Sequence, residues 1–180
     1  MAKDISNNLV GVAGEYFVCA ELCRLGYLAL PTPKNNPLYD VVVTNAAGTK
    51  SAAIQVKTRS ITNTQGWKLG RDIEVKKGNP NLFVALVELK KKGLPDIWIY
   101  EHDVLAERIS AQFAKYIARP KKDGGKRADP GFRWYDLHNF TADDKARRNA
   151  WPKILEQLKE KALDSARPST ATAEQTPTAA

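Results

Sequence analysis

Three polar residues in two short strand-like stretches have the types and the spacing of a metal-assisted site for attacking a phosphodiester. Asp40 opens one apolar stretch, and Gln55 and Lys57 lie two residues apart in the next one. Residues two apart on a strand share a face, so the amide of Gln55 and the ammonium of Lys57 project together. Carboxylate and amide oxygens suit Mg²⁺, and a lysine beside them stabilises the negative charge that develops at phosphorus.

Only a hairpin brings these three side chains to one place. Ile54 and Val56 alternate with the polar residues and predict a buried opposite face. Between the two stretches lies the turn-rich segment Asn45-Ala46-Ala47-Gly48. Folding about this turn brings Asp40 opposite Gln55 to within one register step. We therefore expect a carboxylate, an amide oxygen and a lysine to converge at one end of a sheet.

A helix is predicted before the hairpin, from about Asn7 to Leu25, with Gly26 as its C-terminal stop. Glu15 points with the apolar side of this helix, where an ionised carboxylate requires a cation, a metal or a proton. Two interpretations are open. Glu15 either joins the predicted site or lies at the edge of the apolar face with its head group in water.

Together these residues resemble the PD-(D/E)XK nuclease superfamily, and within it the branch with Gln-x-Lys in the third motif. That branch includes Mrr-like restriction enzymes and some intron-encoded homing endonucleases. The resemblance covers about residues 8–59, with looser similarity at 82–88 and 98–100. It rests on four short motifs, which in chain order are Gly14-Glu15, Gly26-Tyr27, Tyr39-Asp40 and Gln55-Val56-Lys57-Thr58.

The resemblance implies an α/β fold with a restriction-endonuclease-like α-β-β-β-α-β core. In this core a mixed central sheet is flanked by helices, and a C-terminal helix follows. The resemblance also implies Mg²⁺-dependent cleavage of double-stranded DNA, with Mn²⁺ as a substitute ion. Asp40 would then be the principal metal ligand, Gln55 a second ligand through its side-chain oxygen, and Glu15 an assisting carboxylate. Lys57 would position or activate the attacking water.

One departure from the usual family pattern concerns charge at the metal. Gln55 stands where the second acidic ligand is most often Glu. The site therefore carries one negative charge fewer, which should weaken Mg²⁺ binding. The Gln-x-Lys branch tolerates this exchange.

The composition agrees with a nucleic-acid partner. There are 28 Lys and Arg against 20 Asp and Glu, which gives a net charge of +8 and a pI near 9.5. Such an excess attracts polyanions in a salt-dependent way. Residues 1–164 are predicted to form one nuclease-like domain, and the Ala/Thr/Pro/Ser-rich residues 165–180 a disordered tail. Cys19 and Cys23, one helical turn apart, are expected to be free thiols of a cytoplasmic protein without a membrane span.

The remaining elements are less specific. We expect a loop at 60–70, strands at 81–89 and 96–100, a helix from His102 to about Ala118 with Asp103 as N-cap, a basic loop at 119–127, a strand at 132–137 and a helix at 152–163. Trp67 is expected in the core. Candidate contacts to DNA phosphates are Thr58, Arg59, Ser60, Lys68, Lys121, Lys122, Lys126 and Arg127. The basic loop is equally compatible with a solubilising insertion.

The predicted function is a Mg²⁺-dependent endodeoxyribonuclease of the restriction or homing type. A DNA-binding protein of the same fold with a weakened or inactive site is an alternative, supported by Gln55. A structure-selective Holliday junction resolvase would use the same chemistry on branched DNA. A basic scaffold without a nucleic-acid role would show no salt-sensitive affinity for DNA. One site per chain cuts one strand, so a homodimer is expected for double-strand breaks.

Overall fold

A mixed five-stranded sheet organises the chain. The computed structural model describes residues 6–33 and 36–160. In chain order the elements are α1 (Asn7–Arg24), β1 (Leu28–Pro31), β2 (Val41–Thr44), β3 (Ser51–Arg59), β4 (Gly66–Gly70), β5 (Leu82–Glu88), β6 (Asp96–Glu101), α2 (His102–Ala118), β7 (Phe132–Asp136), α3 (Ala142–Ala146) and α4 (Pro152–Leu158). The strand order in the central sheet is β1-β2-β3-β5-β6. Only β3 and β5 pair in parallel, and the other neighbours are antiparallel.

The predicted hairpin is present with the predicted register. Val41 pairs with Ile54 and Thr44 with Ser51, so extension of this ladder by one residue places Asp40 beside Gln55. The alternation of β3 is also confirmed, because Ile54 is fully buried whereas Gln55 is half-buried. The turn closes through the side chain of Asn45, whose oxygen accepts the backbone N–H groups of Thr49 and Lys50.

Helix α1 covers one face of the sheet, as its sequence predicts. The Ser6 hydroxyl caps its N-terminus by accepting the N–H of Leu9, and Gly26 follows its end with a φ of 89°. Val18 and Leu22 are fully buried against the face of β3 that carries Ile54. Helix α4 packs on the same face, so this side of the sheet is closed by two helices.

A second layer covers the other face of β5 and β6. It consists of α2, the 3-10 helix Arg71–Glu74 and a two-stranded antiparallel ribbon formed by β4 and β7. The expectation of a loop throughout 60–70 is therefore wrong, because Gly66–Gly70 forms a strand. Trp67 and Leu69 of that strand are buried in this layer, which confirms Trp67 as a core residue.

The predicted fold class, a mixed α/β fold whose central sheet is flanked by helices, is confirmed. The chain begins α-β-β-β, as expected. The crossover from β3 to the parallel strand β5 contains β4 and the short 3-10 helix Arg71–Glu74. The long helix of this layer, α2, follows β6 and packs on the same face.

Three smaller expectations differ from the structure or lie outside it. Helix α2 has Glu101 as its N-cap residue, and Asp103 instead accepts the backbone N–H groups of Lys77 and Gly78. The C-terminal helix ends at Leu158 with Lys159 as its C-cap, earlier than predicted. The predicted tail at 165–180 lies outside the described residues.

Both cysteines are free, as expected. Cys19 is buried and Cys23 is exposed. Burial, aided by the neighbouring Cys23 and the charge of Glu15, raises the pKa of the Cys19 thiol to about 11, so it behaves as a small apolar side chain. None of the helices in the described ranges is long and apolar enough to cross a membrane.

Candidate active site

Asp40 is held directly before the first residue of β2. Its backbone N–H donates to the carbonyl of Ile54 at 2.9 Å, and its Oδ2 accepts the N–H of Val56 at 2.7 Å. The carboxylate therefore substitutes for a main-chain acceptor in the ladder, and this hydrogen bond fixes its orientation. Asp40 is bracketed by the two neighbours of Gln55, as the sequence predicts.

Gln55 and Lys57 project from the face of β3 opposite helix α1. Their cross-strand partners on β5 are Val84 and Leu86, which belong to the second layer. Both side chains are half-buried, as is Asp40. The structure thus brings a carboxylate, an amide and an ammonium to adjacent positions of one hairpin.

Glu15 reaches the same strand from the other side. The preceding residue, Gly14, touches β3 so closely that an added Cβ would lie 1.9 Å from Oγ1 of Thr58. Thr58 and Lys57 are adjacent, so the backbone of Glu15 lies next to the end of the strand that carries the lysine. Glu15 is half-buried, and its charge acts on Cys19. It therefore lies on the inner side of α1, on the sheet face opposite Gln55 and Lys57.

Two cavities flank this hairpin. One, of about 240 Å³, is lined by Lys57, Ser60 and Lys68 together with Asn7 and other residues of α1, β3 and β4. The other, also about 240 Å³, is lined by Tyr39, Ala53, Asn81 and their neighbours. Tyr39 precedes Asp40, and Ala53 lies on the same strand face as Gln55. Of the four predicted catalytic residues only Lys57 lines one of these two cavities, and the other cavity begins beside Asp40 at Tyr39.

The oxygen atoms of the candidate site suit a hard cation that does not need several negatively charged ligands. Asp40 supplies an oriented carboxylate and Gln55 a neutral oxygen at adjacent positions of the hairpin, whereas the carboxylate of Glu15 lies on the helix side of β3. Mg²⁺ is usually held by one or two carboxylates and keeps several waters, so the pair of Asp40 and Gln55 fits this ion. In the described residues no three His, Cys, Asp or Glu side chains cluster in a way that would hold a metal ion. The candidate site differs from such clusters because one of its oxygens belongs to an amide.

Comparison with known proteins adds a structural likeness. No protein-family model matches the sequence, and no curated protein matches it. Among solved structures, the chain is similar to the bacterial homing endonuclease I-Ssp6803I, with a TM-score of 0.50 and 15% sequence identity. The likeness covers 84% of this chain and 95% of that one. At this identity it shows the fold. The chain has a nuclease-like fold.

Two of the predicted phosphate contacts differ from expectation. The hydroxyl of Thr58 is buried against Gly14 and has no hydrogen-bond partner in the described residues. The guanidinium of Arg59 is buried too, because it pairs with Glu88, donates to the carbonyl of Asn63 and stacks on the ring of Trp67 at 5.1 Å. Neither group is accessible to a DNA backbone. The alternation of β3 turns Thr58 toward α1, which buries its hydroxyl. The ribbon strand β4 returns over the end of β3 and buries Arg59.

The other predicted contacts are at the surface. Ser60 is half-buried in the cavity beside Lys57, and Lys68 is exposed on β4. Lys121, Lys122 and Lys126 are exposed in the loop between α2 and β7. Arg127 of the same loop is held by the protein, since it stacks on Tyr116 at 4.7 Å and donates to the carbonyl of Arg119.

An aromatic surface on β7 escaped the sequence analysis. Phe132 and Trp134 alternate with Arg133 and Tyr135, and this period of two indicated that one pair faces outward. The sequence predicts a loop where β4 lies, so it does not predict the pairing of β7 with β4. The outward face of the ribbon therefore appears only in the structure.

Proposed function

We propose that this protein is a Mg²⁺-dependent endodeoxyribonuclease of the PD-(D/E)XK type, Gln-x-Lys branch, that hydrolyses phosphodiester bonds in double-stranded DNA. The observation that carries the proposal is the position of Asp40. Its backbone N–H donates to the carbonyl of Ile54 and its carboxylate accepts the N–H of Val56. Asp40 is therefore fixed beside Gln55 of β3, the strand that also bears Lys57. The nuclease-like fold supports the proposal at a coarser level.

In this proposal each residue has a distinct task. Asp40 and Gln55 would hold the ion, with Glu15 assisting from α1. When bound, Mg²⁺ polarises a phosphoryl oxygen and lowers the pKa of a bound water. Lys57 places its ammonium where negative charge develops on phosphorus in the transition state, and it positions the attacking water. The half-buried setting strengthens this interaction, because less solvent screens the charges.

An alternative function is a DNA-binding protein whose site is weakened or inactive. The neutral Gln55 favours it, because one carboxylate fewer reduces the attraction for a divalent cation. Both functions predict DNA binding, and only the nuclease predicts chain cleavage in Mg²⁺ or Mn²⁺. Cleavage is therefore the discriminating measurement.

The test is plasmid nicking by the wild type and by Asp40→Asn over a titration of Mg²⁺ and Mn²⁺. Asparagine keeps a side-chain oxygen that can accept the N–H of Val56, so the hairpin is retained while the charge at the metal is lost. We expect nicking to be abolished in Asp40→Asn and duplex binding in EDTA to persist. Asp72→Asn, the same exchange at an exposed position of the 3-10 helix, should cleave like the wild type.

Normal cleavage by Asp40→Asn would refute the assignment of the site. Binding without any cleavage by the wild type, in either metal, would favour the DNA-binding protein instead.

A further inference from the structure

The ribbon of β4 and β7 has one face anchored in the protein and one face in solvent. On the inner face Trp67, Leu69 and Tyr135 are buried, and the indole N–H of Trp67 donates to the carbonyl of Val87 at 3.0 Å. On the outer face Lys68 and Trp134 are direct cross-strand partners. The inner contacts hold the ribbon rigidly against the sheet, so its outer face is a preformed surface.

The outer face combines a cation with aromatic rings. The ammonium of Lys68 lies 4.4 Å from the ring centroid of Phe132, and the rings of Phe132 and Trp134 are 6.2 Å apart. Trp134 is 41% exposed, whereas the other three tryptophans are buried. Exposing a tryptophan to water forgoes the free energy of burying a large aromatic side chain, so its position on a rigid ribbon indicates a binding role.

The charges around this face favour a polyanion. Three acids near the ribbon are engaged within the protein, since Glu74 and Asp129 pair with Arg133 and Asp136 accepts the backbone N–H of His138. Asp72 is a further acid, exposed beside Gly70 at the end of β4. The loop that leads into β7 presents Lys121, Lys122 and Lys126 to solvent. Their positive charges, with that of Lys68, are available to phosphates.

The ribbon also adjoins the candidate active site. Lys68 of β4 and Lys57 of β3 line the same cavity, with Ser60 between them in the chain. A phosphate held at Lys57 would therefore lie close to Lys68, at the edge of the outer face of the ribbon. The major groove of undeformed B-DNA admits a two-stranded β-ribbon, whereas the narrower minor groove must be widened to accept one.

We propose that the outer face of the β4–β7 ribbon enters the major groove of duplex DNA, where Lys68 contacts a phosphate and Trp134 makes an apolar contact to the bases. This inference rests on the proposed function and extends it, because it assigns the element that reads the substrate beside the site that cuts it.

Tryptophan fluorescence tests this directly in the full chain. The Asp40→Asn variant is kept in EDTA, and the quenching of its tryptophan fluorescence by neutral acrylamide is measured with and without a duplex of mixed sequence. Quenching of the free protein should come from Trp134, and saturating duplex should remove most of it. Trp134→Phe should show little quenching in either state, which verifies the origin of the signal.

Binding of variants supplies the second arm. Trp134→Ala should weaken duplex binding about tenfold or more. Lys68→Ala should reduce the slope of log affinity against log salt concentration by about one. Lys92→Ala, in the exposed turn after β5, is the matched control and should leave both quantities unchanged.

Groove choice supplies the third arm. Methyl green, which occupies the major groove, should displace the protein, and distamycin, which occupies the minor groove, should not. Three results would each overturn the proposal. Acrylamide could still quench Trp134 in the saturated complex, single-stranded DNA could protect Trp134 from acrylamide as well as duplex does, or distamycin alone could displace the protein. These measurements report binding and not cleavage. Their result therefore does not depend on whether the protein is a nuclease, and the two proposals can fail separately.

Discussion

At the scale of single residues, the candidate site depends on one carboxylate that replaces a backbone acceptor. Asp40 binds the N–H of Val56 through Oδ2, and this contact sets its direction. Gln55 beside it contributes an oxygen without a charge. In the proposed mechanism the positive charge of Lys57 therefore contributes more to stabilising the transition state, because fewer neighbouring anions neutralise this charge.

Replacement of the lysine should separate catalysis from binding. In Lys57→Met the apolar stem is preserved and the charge is removed, so we expect a loss of cleavage rate of about a hundredfold or more. Duplex affinity should fall much less, because one of several cations is lost. Lys50→Met, at an exposed position of the same hairpin, is the control. Equal rates for the two variants would remove Lys57 from the mechanism.

At the scale of elements, the approach of α1 to β3 depends on a glycine. An added Cβ at Gly14 would lie 1.9 Å from Oγ1, 3.0 Å from Cβ and 3.1 Å from Cγ2 of Thr58. Rotation of the threonine side chain moves Oγ1 but leaves its Cβ at 3.0 Å, so helix or strand must also shift by a few tenths of an ångström. The contact that places Glu15 beside the hairpin strand therefore requires glycine at position 14.

Two alanine variants of the same helix test this contact. Gly14→Ala should lower the free energy of unfolding by about 1–3 kcal/mol, because overpacking outweighs the helix preference of alanine. Gly11→Ala should raise it by about 0.5–1 kcal/mol, since an added Cβ there meets no described atom within 4 Å. Urea denaturation measures both values. A similar gain in both variants would show that the close packing at Gly14 is absent.

At the scale of the whole molecule, a buried carboxylate joins the second layer to the central sheet. Asp144 accepts hydrogen bonds from the hydroxyls of Tyr100, Tyr135 and Thr141 at 3.0, 2.8 and 2.7 Å, and it pairs with Arg108. These partners come from β6, β7, α2 and the cap of α3. Burial would raise the pKa of Asp144, but hydrogen bonds from Thr141 and the two tyrosines outweigh it and lower the pKa.

This network should make stability depend on pH. The folded pKa of Asp144 lies below its unfolded value of about 3.9, so its contribution is complete above that pH and is lost as pH falls through the folded pKa. Asp144→Asn should lose about 3 kcal/mol or more near pH 7. The difference from the wild type should narrow below about pH 4.

Thermal or urea unfolding across this pH range measures the difference. Asp143→Asn, the same exchange at the neighbouring and largely exposed residue, is the control and should cost less. A gap between wild type and Asp144→Asn that is independent of pH would contradict the linkage.

The helix α1, the hairpin and its register were accessible from the sequence because they depend on local patterns. The period of two in β3, the turn at 45–48 and the glycine after α1 each act over a few residues. Asp40 and Gln55 therefore met as expected. The strands β5 and β6 followed from their continuous apolar runs.

Contacts between distant segments were decided only by the tertiary structure. Gly66–Gly70 is short and becomes a strand because β7, more than 60 residues later, supplies its hydrogen-bonding partner. The return of this ribbon over β3 buries Arg59, and the approach of α1 buries the hydroxyl of Thr58. Burial of a polar side chain depends on what packs against it, and a local sequence pattern does not contain that partner. For the same reason the exposed pair Lys68 and Trp134 became a surface only when the two strands met.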